Sequence, residues 1–176
     1  MIKVKIEQIA NIAVIVLALV VGSLFLRDRL FNQDPQPNQM KVGDKLPTLN
    51  GWDWSTHERT LVLVLRKGCH FCEDSAPFYQ RLAVMQKQGV TTSPIVAVFP
   101  DSADVVMHLV QSEGLEFQTV SGVSLEELKI PGTPTLLLVD KRGNVVNAWI
   151  GVLSPRQELE VIKAMACSNG SCRESS

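Results

Sequence analysis

The chain has 176 residues, with 17 Lys and Arg against 18 Asp and Glu and a formal net charge of −1. That balance excludes a basic surface for nucleic acid, and no block of like charge marks an interaction tail. Hydrophobic residues make up 45%, enough for one packed domain of ordinary size even after about 20 residues are set aside for a membrane span.

In chain order, the first feature is an apolar run from Ile9 to Leu26, interrupted only by Asn11 and Ser23 and free of charge. It is long enough for one bilayer span. A cleaved secretory signal is the competing reading, but no A-x-A pattern follows and the run continues past Gly22. A retained N-terminal transmembrane helix is therefore expected, within an anchor of residues 1–33. Lys3 and Lys5 on one side, and Arg27, Asp28 and Arg29 on the other, leave the positive-inside count undecided. A short N-terminal tail left in the cytoplasm puts the rest of the chain on the extracytoplasmic side of the cytoplasmic membrane. Residues 34–40, with Pro35 and Pro37, read as an extended, semi-rigid linker.

The domain is expected over residues 41–166, followed by a cysteine-containing tail at 167–176. Trp52 and Trp54 are two apart, which predicts one face of a short strand, engaged in core or edge packing, with substrate contact the lesser reading. Leu61 to Leu65 is apolar throughout, as a central strand buried on both faces requires. Arg66-Lys67-Gly68 breaks it. Glu73 to Gln88 then reads as a helix, with Phe78, Leu82 and Met85 on one face and Gly89 at its end. Pro94 to Phe99 is a second buried strand, and Asp101 or Ser102 opens a helix to about Ser112. Glu116 to Val120 predicts a short edge strand, and Ser124 caps a helical turn over Leu125 to Lys129. Thr135 to Val139 and Val145 to Ile150 form a hairpin across Asp140 to Asn144, where Gly143 supplies the turn. Ser154-Pro155 opens a last helix to Ala166. This alternation predicts an α/β fold: a mixed central sheet with helices on both faces, parallel at its core, with one antiparallel edge from the closing hairpin.

The chemistry concentrates at Cys69-His70-Phe71-Cys72. Positions i and i+3 share a helix face, so the two sulfurs can close into a ring with little backbone movement. The start of a helix presents unpaired N–H groups and favours an anion, which lowers a thiol pKa and yields the reactive thiolate. Two cysteines at this spacing are also half of a zinc site. The other half is missing from the sequence: Cys167 and Cys172 are spaced differently, and His57, His70 and His108 are scattered. Two close cysteine pairs suit an oxidising compartment or a redox role.

Two prolines extend the pattern. Pro77 lies five residues past Cys72, and Pro134 stands in Pro131-Gly132-Thr133-Pro134-Thr135, just before an apolar strand. With the CxxC, these positions resemble the thioredoxin superfamily over residues 41–166. The run from Gly132 to Val146 and the segment Val42 to Pro47 resemble its membrane-anchored bacterial redoxin branch, related to TlpA and ResA. The resemblance implies a thioredoxin-like fold and a protein disulfide oxidoreductase without a cofactor or metal. It also implies protein thiol or disulfide substrates and an upstream redox partner. Cys69 is then the attacking thiolate, expected to be the more exposed, and Cys72 the inward-pointing resolving thiol. Pro134 is expected to be cis and to turn the Thr133 backbone toward the site, where it can bond a substrate backbone.

Several residues keep two readings. His70 as imidazolium stabilises the thiolate, or is a plain exposed residue. Phe71 contacts substrate or covers the sulfurs. Arg66 and Lys67 favour the thiolate weakly or serve solubility, and Glu73 suits the helix dipole but opposes a nearby thiolate. Cys167 and Cys172, with Gly170 between them, form a structural tail disulfide, a redox relay or a metal-capturing pair.

The pattern also departs from its relatives. Gly68 stands where thioredoxins carry Trp, Leu63 where thioredoxin has a buried Asp, and His-Phe separates the cysteines. The direction of electron flow is therefore not carried over from any one relative, although the TlpA and ResA likeness leans toward a reductant. A peroxiredoxin-like thiol peroxidase needs Thr at position 66, which is Arg66. Copper-delivering relatives need three residues between the cysteines. A non-enzymatic metal-carrying or binding module completes the alternatives.

Overall fold

The strand β1 (Arg59–Val64) organises the domain, because every residue from Thr60 to Val64 is buried. Such a strand needs a neighbour on each edge and cover on each face. The sheet order is β3-β2-β1-β4-β5, which places β1 at the centre. β2 (Ile95–Val98) and β3 (Gln118–Val120) continue parallel to β1 on one side. On the other side β4 (Thr135–Asp140) runs antiparallel to β1, and β5 (Val145–Ile150) antiparallel to β4. The expected parallel core with one antiparallel edge is thus corrected: the change of direction lies beside β1, inside the sheet. The computed structural model describes residues 14–23, 39–168 and 171–172.

Three helices accompany the sheet: α1 (His70–Lys87), α2 (Ala103–Ser112) and α3 (Pro155–Ala166). Their large buried side chains fall in a single core cluster. Phe78, Tyr79 and Leu82 of α1, Val106 of α2, and Val161 and Met165 of α3 join Leu61, Leu63, Leu136 and Leu138 of the sheet. The expectation of helices on both faces is therefore also corrected. The strands β1, β2 and β3 step in one direction, and right-handed crossovers then lay α1 and α2 on the same face. The opposite face carries Val62, Val64, Val96, Val98, Leu137 and Val139. It is covered by chain outside these three helices, bearing Met40, Leu46, Leu49, Trp54, Leu128 and Ile130.

One smaller expectation changes with local chemistry. Trp52 and Trp54 do not share a strand. Asp53 Oδ1 accepts from the Ser55 N–H at 2.9 Å and caps a 3-10 turn, Trp54–Thr56. The two indoles instead meet edge to face, 6.3 Å apart. Leu125 to Lys129 forms the expected turn: Leu128 N–H donates to the Ser124 carbonyl at 3.2 Å, Ser124 Oγ accepts from the Glu127 N–H at 3.3 Å, and Lys129 ends it at φ 54°. The hairpin turn is as expected, with Gly143 at φ 85°. There Asp140 Oδ1 accepts from the Arg142 and Asn144 N–H groups, and Oδ2 from Asn144 Nδ2. Slight burial pushes the Asp140 carboxyl up, but the Asn144 side chain, these N–H bonds and the Arg142 charge together hold it below the usual carboxylate range.

The chain divides into two units, Met1–Asn38 and Gln39–Ser176. In the first, residues 14–23 are helical. The rest of the expected span, residues 9–13 and 24–26, lies outside the described residues. Among the described residues no helix is long and apolar enough to cross a membrane. At the other end of the chain, β6 (Cys167–Ser168) pairs antiparallel with β7 (Ser171–Cys172).

Candidate active site at the Cys69–Cys72 pair

The site forms where β1 ends. Leu65 N–H donates to the Val98 carbonyl, and Lys67 N–H donates to Asp101 Oδ2 at 3.0 Å, which ties the loop to the chain after β2. Gly68 adopts φ 66°, a left-handed turn that costs a glycine little. Cys69 follows as the N-cap of α1. Its sulfur accepts from the Cys72 N–H at 3.2 Å, and its carbonyl accepts from the N–H groups of Cys72 and Glu73. The helix therefore begins at His70, three residues before its expected start at Glu73. An N–H donor aimed at the Cys69 sulfur at the positive end of a helix is the arrangement that favours a thiolate. Cys69 and Cys72 form a disulfide, with Cα atoms 5.2 Å apart, inside the usual range for one.

The loop before β4 completes the site. Because β4 runs antiparallel to β1 with Thr135 opposite Val64, the chain enters the sheet at the end where β1 leaves it. Thr133 thereby comes to lie over Cys69. Thr133 Oγ1 donates to Cys69 Sγ at 3.3 Å. The Thr133 carbonyl lies 3.3 Å from the same sulfur, placed to accept from the reduced thiol. The Thr133–Pro134 peptide is cis, and the Pro134 carbonyl accepts from the Gly151 N–H at 2.8 Å.

This cover overturns the expected exposures. Cys69 is only 6% exposed, whereas Cys72 is half-buried. Being first in the helix does not expose a side chain that a second loop then covers. His70 is exposed and points along its own helix, with Nε2 3.5 Å from Asp74 Oδ2 one turn on. Phe71 is 58% exposed, an apolar ring left in solvent beside the disulfide. Pro77 lies inside α1, and Arg66, Lys67 and Glu73 are exposed.

The sequence reading missed one neighbour. A narrow cleft of about 30 Å³ reaches the cysteines and is lined by Cys69, Cys72, Glu73, Tyr79 and Glu113 among others. Tyr79 is 1% exposed, and its Oη has no hydrogen-bond partner among the described residues. Burial pushes its phenol up to about 12, against a smaller opposing influence of Ser75. Its position seven residues past Cys72, two helical turns on, was the available signal.

The second cysteine pair lies elsewhere. Arg59 Nη1 donates to the Ala164 carbonyl, and Ser93 Oγ donates to the Met165 carbonyl at 2.9 Å. These bonds fix the end of α3 near the starts of β1 and β2, whereas Cys69 follows the end of β1. A six-residue strand separates the two ends by about 20 Å. The strand register sets Cys167 opposite Cys172, away from Cys69 and Cys72. Among the described residues, no group of three or more His, Cys, Asp or Glu is placed to hold a metal.

No known family profile matches the chain, and no curated protein matches its sequence. Solved structures do match. A thiol:disulfide interchange protein from Bacteroides sp. superposes with a TM-score of 0.58 at 18% identity, over 74% of this chain and 93% of that one. The thioredoxin domain of a Bacteroides vulgatus thiol-disulfide oxidoreductase gives 0.57 at 19% identity, over 72% and 99%. A Chlorobium tepidum protein described as the thiol:disulfide interchange protein DsbE gives 0.56 at 22% identity, over 70% and 96%. Likeness at these identities speaks for architecture, and with the strand order and the placement of Cys69 and Thr133 it establishes that the domain has the thioredoxin-like fold.

Proposed function

We propose that this protein is a membrane-anchored thiol–disulfide oxidoreductase that exchanges electrons with protein thiols and disulfides on the extracytoplasmic side of the cytoplasmic membrane. The observation that carries the reading is the Cys69–Cys72 disulfide at the N-terminus of α1, beneath Thr133. The apolar run from Ile9 to Leu26 supports the anchor. In the reduced protein, the Cys72 N–H and the Thr133 hydroxyl both donate to the Cys69 sulfur and stabilise its thiolate. That thiolate attacks one sulfur of a substrate disulfide and releases the other as a thiolate, which leaves a mixed disulfide on Cys69. Cys72 then attacks Cys69, restores the internal disulfide and frees the reduced substrate. An upstream redox partner returns two electrons to the pair. Two sulfurs suffice for this exchange, so it needs no cofactor. The exposed Phe71 gives an apolar contact for the substrate chain, and the Thr133 backbone is the segment to which that chain pairs.

The test is trapping. The Cys72→Ala variant should accumulate mixed disulfides with protein substrates, and Cys69→Ala should accumulate none. Trapping by Cys69→Ala alone rejects the assignment. Protease digestion of intact spheroplasts should remove residues 41–166, whereas protection of the domain would reject the orientation.

A further inference from the structure

Packing alone holds the chain around Cys69 weakly. Arg66, Lys67 and Gly68 are exposed, as are His70 and Phe71, and Cys69 is buried between them. A Cβ added at Gly68 would meet no neighbouring atom within 4 Å, so no wall confines that turn. Along α1 the first buried side chain is that of Ser75. The two donors to the Cys69 sulfur differ in what they demand. The Cys72 N–H moves with the helix that Cys69 caps. The Thr133 hydroxyl belongs to another loop, so its bond holds only if the chain after β1 sets Cys69 in the right place.

One side chain reaches that chain. Asp101 Oδ2 accepts from the Lys67 N–H at 3.0 Å, and among the described residues no other hydrogen bond reaches residues 66–68. A carboxylate acceptor makes this bond stronger than one between neutral groups. Asp101 is itself firmly mounted. Phe99, just past β2, is fully buried, and its N–H donates to the Val120 carbonyl at 2.9 Å. The Phe99 carbonyl accepts from the Val123 N–H at 3.0 Å, and the Asp101 carbonyl from the Gly122 N–H at 2.9 Å. The carboxylate therefore stands on chain tied to β3 and the loop after it, and meets the exposed loop two residues before the nucleophile.

We infer that Asp101 is a positioning residue for Cys69: by accepting from the Lys67 N–H it fixes the loop after β1, so that the sulfur stays beneath the Thr133 hydroxyl. The inference rests on the exchange reading proposed above. Asp101 acts through the backbone of Lys67 and Gly68 and not on the sulfur itself.

The test is pulse labelling of the reduced full-length protein with iodoacetamide across a pH range, with the labelled fraction of Cys69 read by peptide mass. Asp101→Ala removes the acceptor. It should slow labelling of Cys69 about fivefold at neutral pH and move the midpoint of the pH profile upward, because the thiolate loses part of its bond from Thr133. Asp101→Asn drops the charge but keeps an oxygen for the Lys67 N–H, and should stay within about twofold of wild type. Arg66, Lys67, His70, Glu73 and Glu113, the charged or titratable groups around the site, are the same in each variant. Wild-type behaviour of Asp101→Ala overturns the inference. Slowing with an unmoved midpoint also overturns it, since that marks general structural damage. An Asp101→Asn variant as slow as Asp101→Ala overturns it too, because the hydrogen bond is then not the cause. Amide exchange at Lys67 in the wild-type protein checks the bond without any variant. Protection of about tenfold or more over a free amide is expected, and exchange at the free rate overturns the inference. Failure of the exchange reading shows differently: Cys72→Ala would then trap no protein, whereas labelling of Cys69 needs no partner.

Discussion

Cys69 receives two hydrogen bonds from groups that lie far apart in sequence, the Cys72 N–H at 3.2 Å and the Thr133 hydroxyl at 3.3 Å. The first is local and comes with the helix, whereas the second depends on the fold. Thr133→Val keeps the shape and removes the donor. Loss of a bond to a charged sulfur, worth about 1.5 kcal/mol, should slow alkylation of the reduced Cys69 by iodoacetamide about tenfold at neutral pH, with the domain still folded by circular dichroism. Tyr79 gives a pH-dependent prediction of its own. Its phenol is pushed up to about 12 by burial, above the ordinary value of about 10. Its contribution to stability is therefore complete below about pH 10 and is lost as pH rises toward the folded value, because the unfolded chain ionises first. Urea melts at about pH 9 and about pH 11 should show wild type losing about 1–2 kcal/mol more than Tyr79→Phe. The CxxC was legible as chemistry because its spacing alone fixes a shared face. Tyr79 was not, since a buried tyrosine reads as core until a cleft is found beside it.

At the scale of elements, β1 is the member whose loss the domain tolerates least. It pairs on both edges and contributes to both cores through alternate residues, Leu61 and Leu63 to one and Val62 and Val64 to the other. Leu63→Ala should lower stability by about 2–5 kcal/mol in denaturant melts, the range for an unrelieved cavity in a close-packed core. The strands β1, β2, β4 and β5 and the three helices were all readable from apolar runs, periodicity and caps, to within a few residues. Where the reading failed, a local polar group outweighed the pattern. Asp53 bends Trp52 and Trp54 out of a strand by capping a turn. Cys69 caps its own helix with sulfur and carbonyl, so α1 starts before the apolar periodicity reveals it.

At the scale of the whole molecule, the core of the second unit is built from residues between Met40 and Met165. Removal of residues 1–38 should therefore leave its melting temperature within about 2 °C of the full chain, and insulin reduction by the dithiol form undiminished. A large drop in either would tie the first unit to the domain. The backbone of Cys167 and Cys172, paired across a short hairpin, follows the end of α3 near the start of β1, whereas Cys69 follows its end. The sequence by itself determined the strands, the helices and the reactive pair, because these depend on neighbours within a few residues: apolar runs, caps and an i, i+3 spacing. Only the tertiary structure decided that the helices share one face, that β4 reverses beside β1 and that Thr133 covers Cys69. Each of these is a contact between segments distant along the chain, set by crossover direction and packing, and no local spacing encodes it.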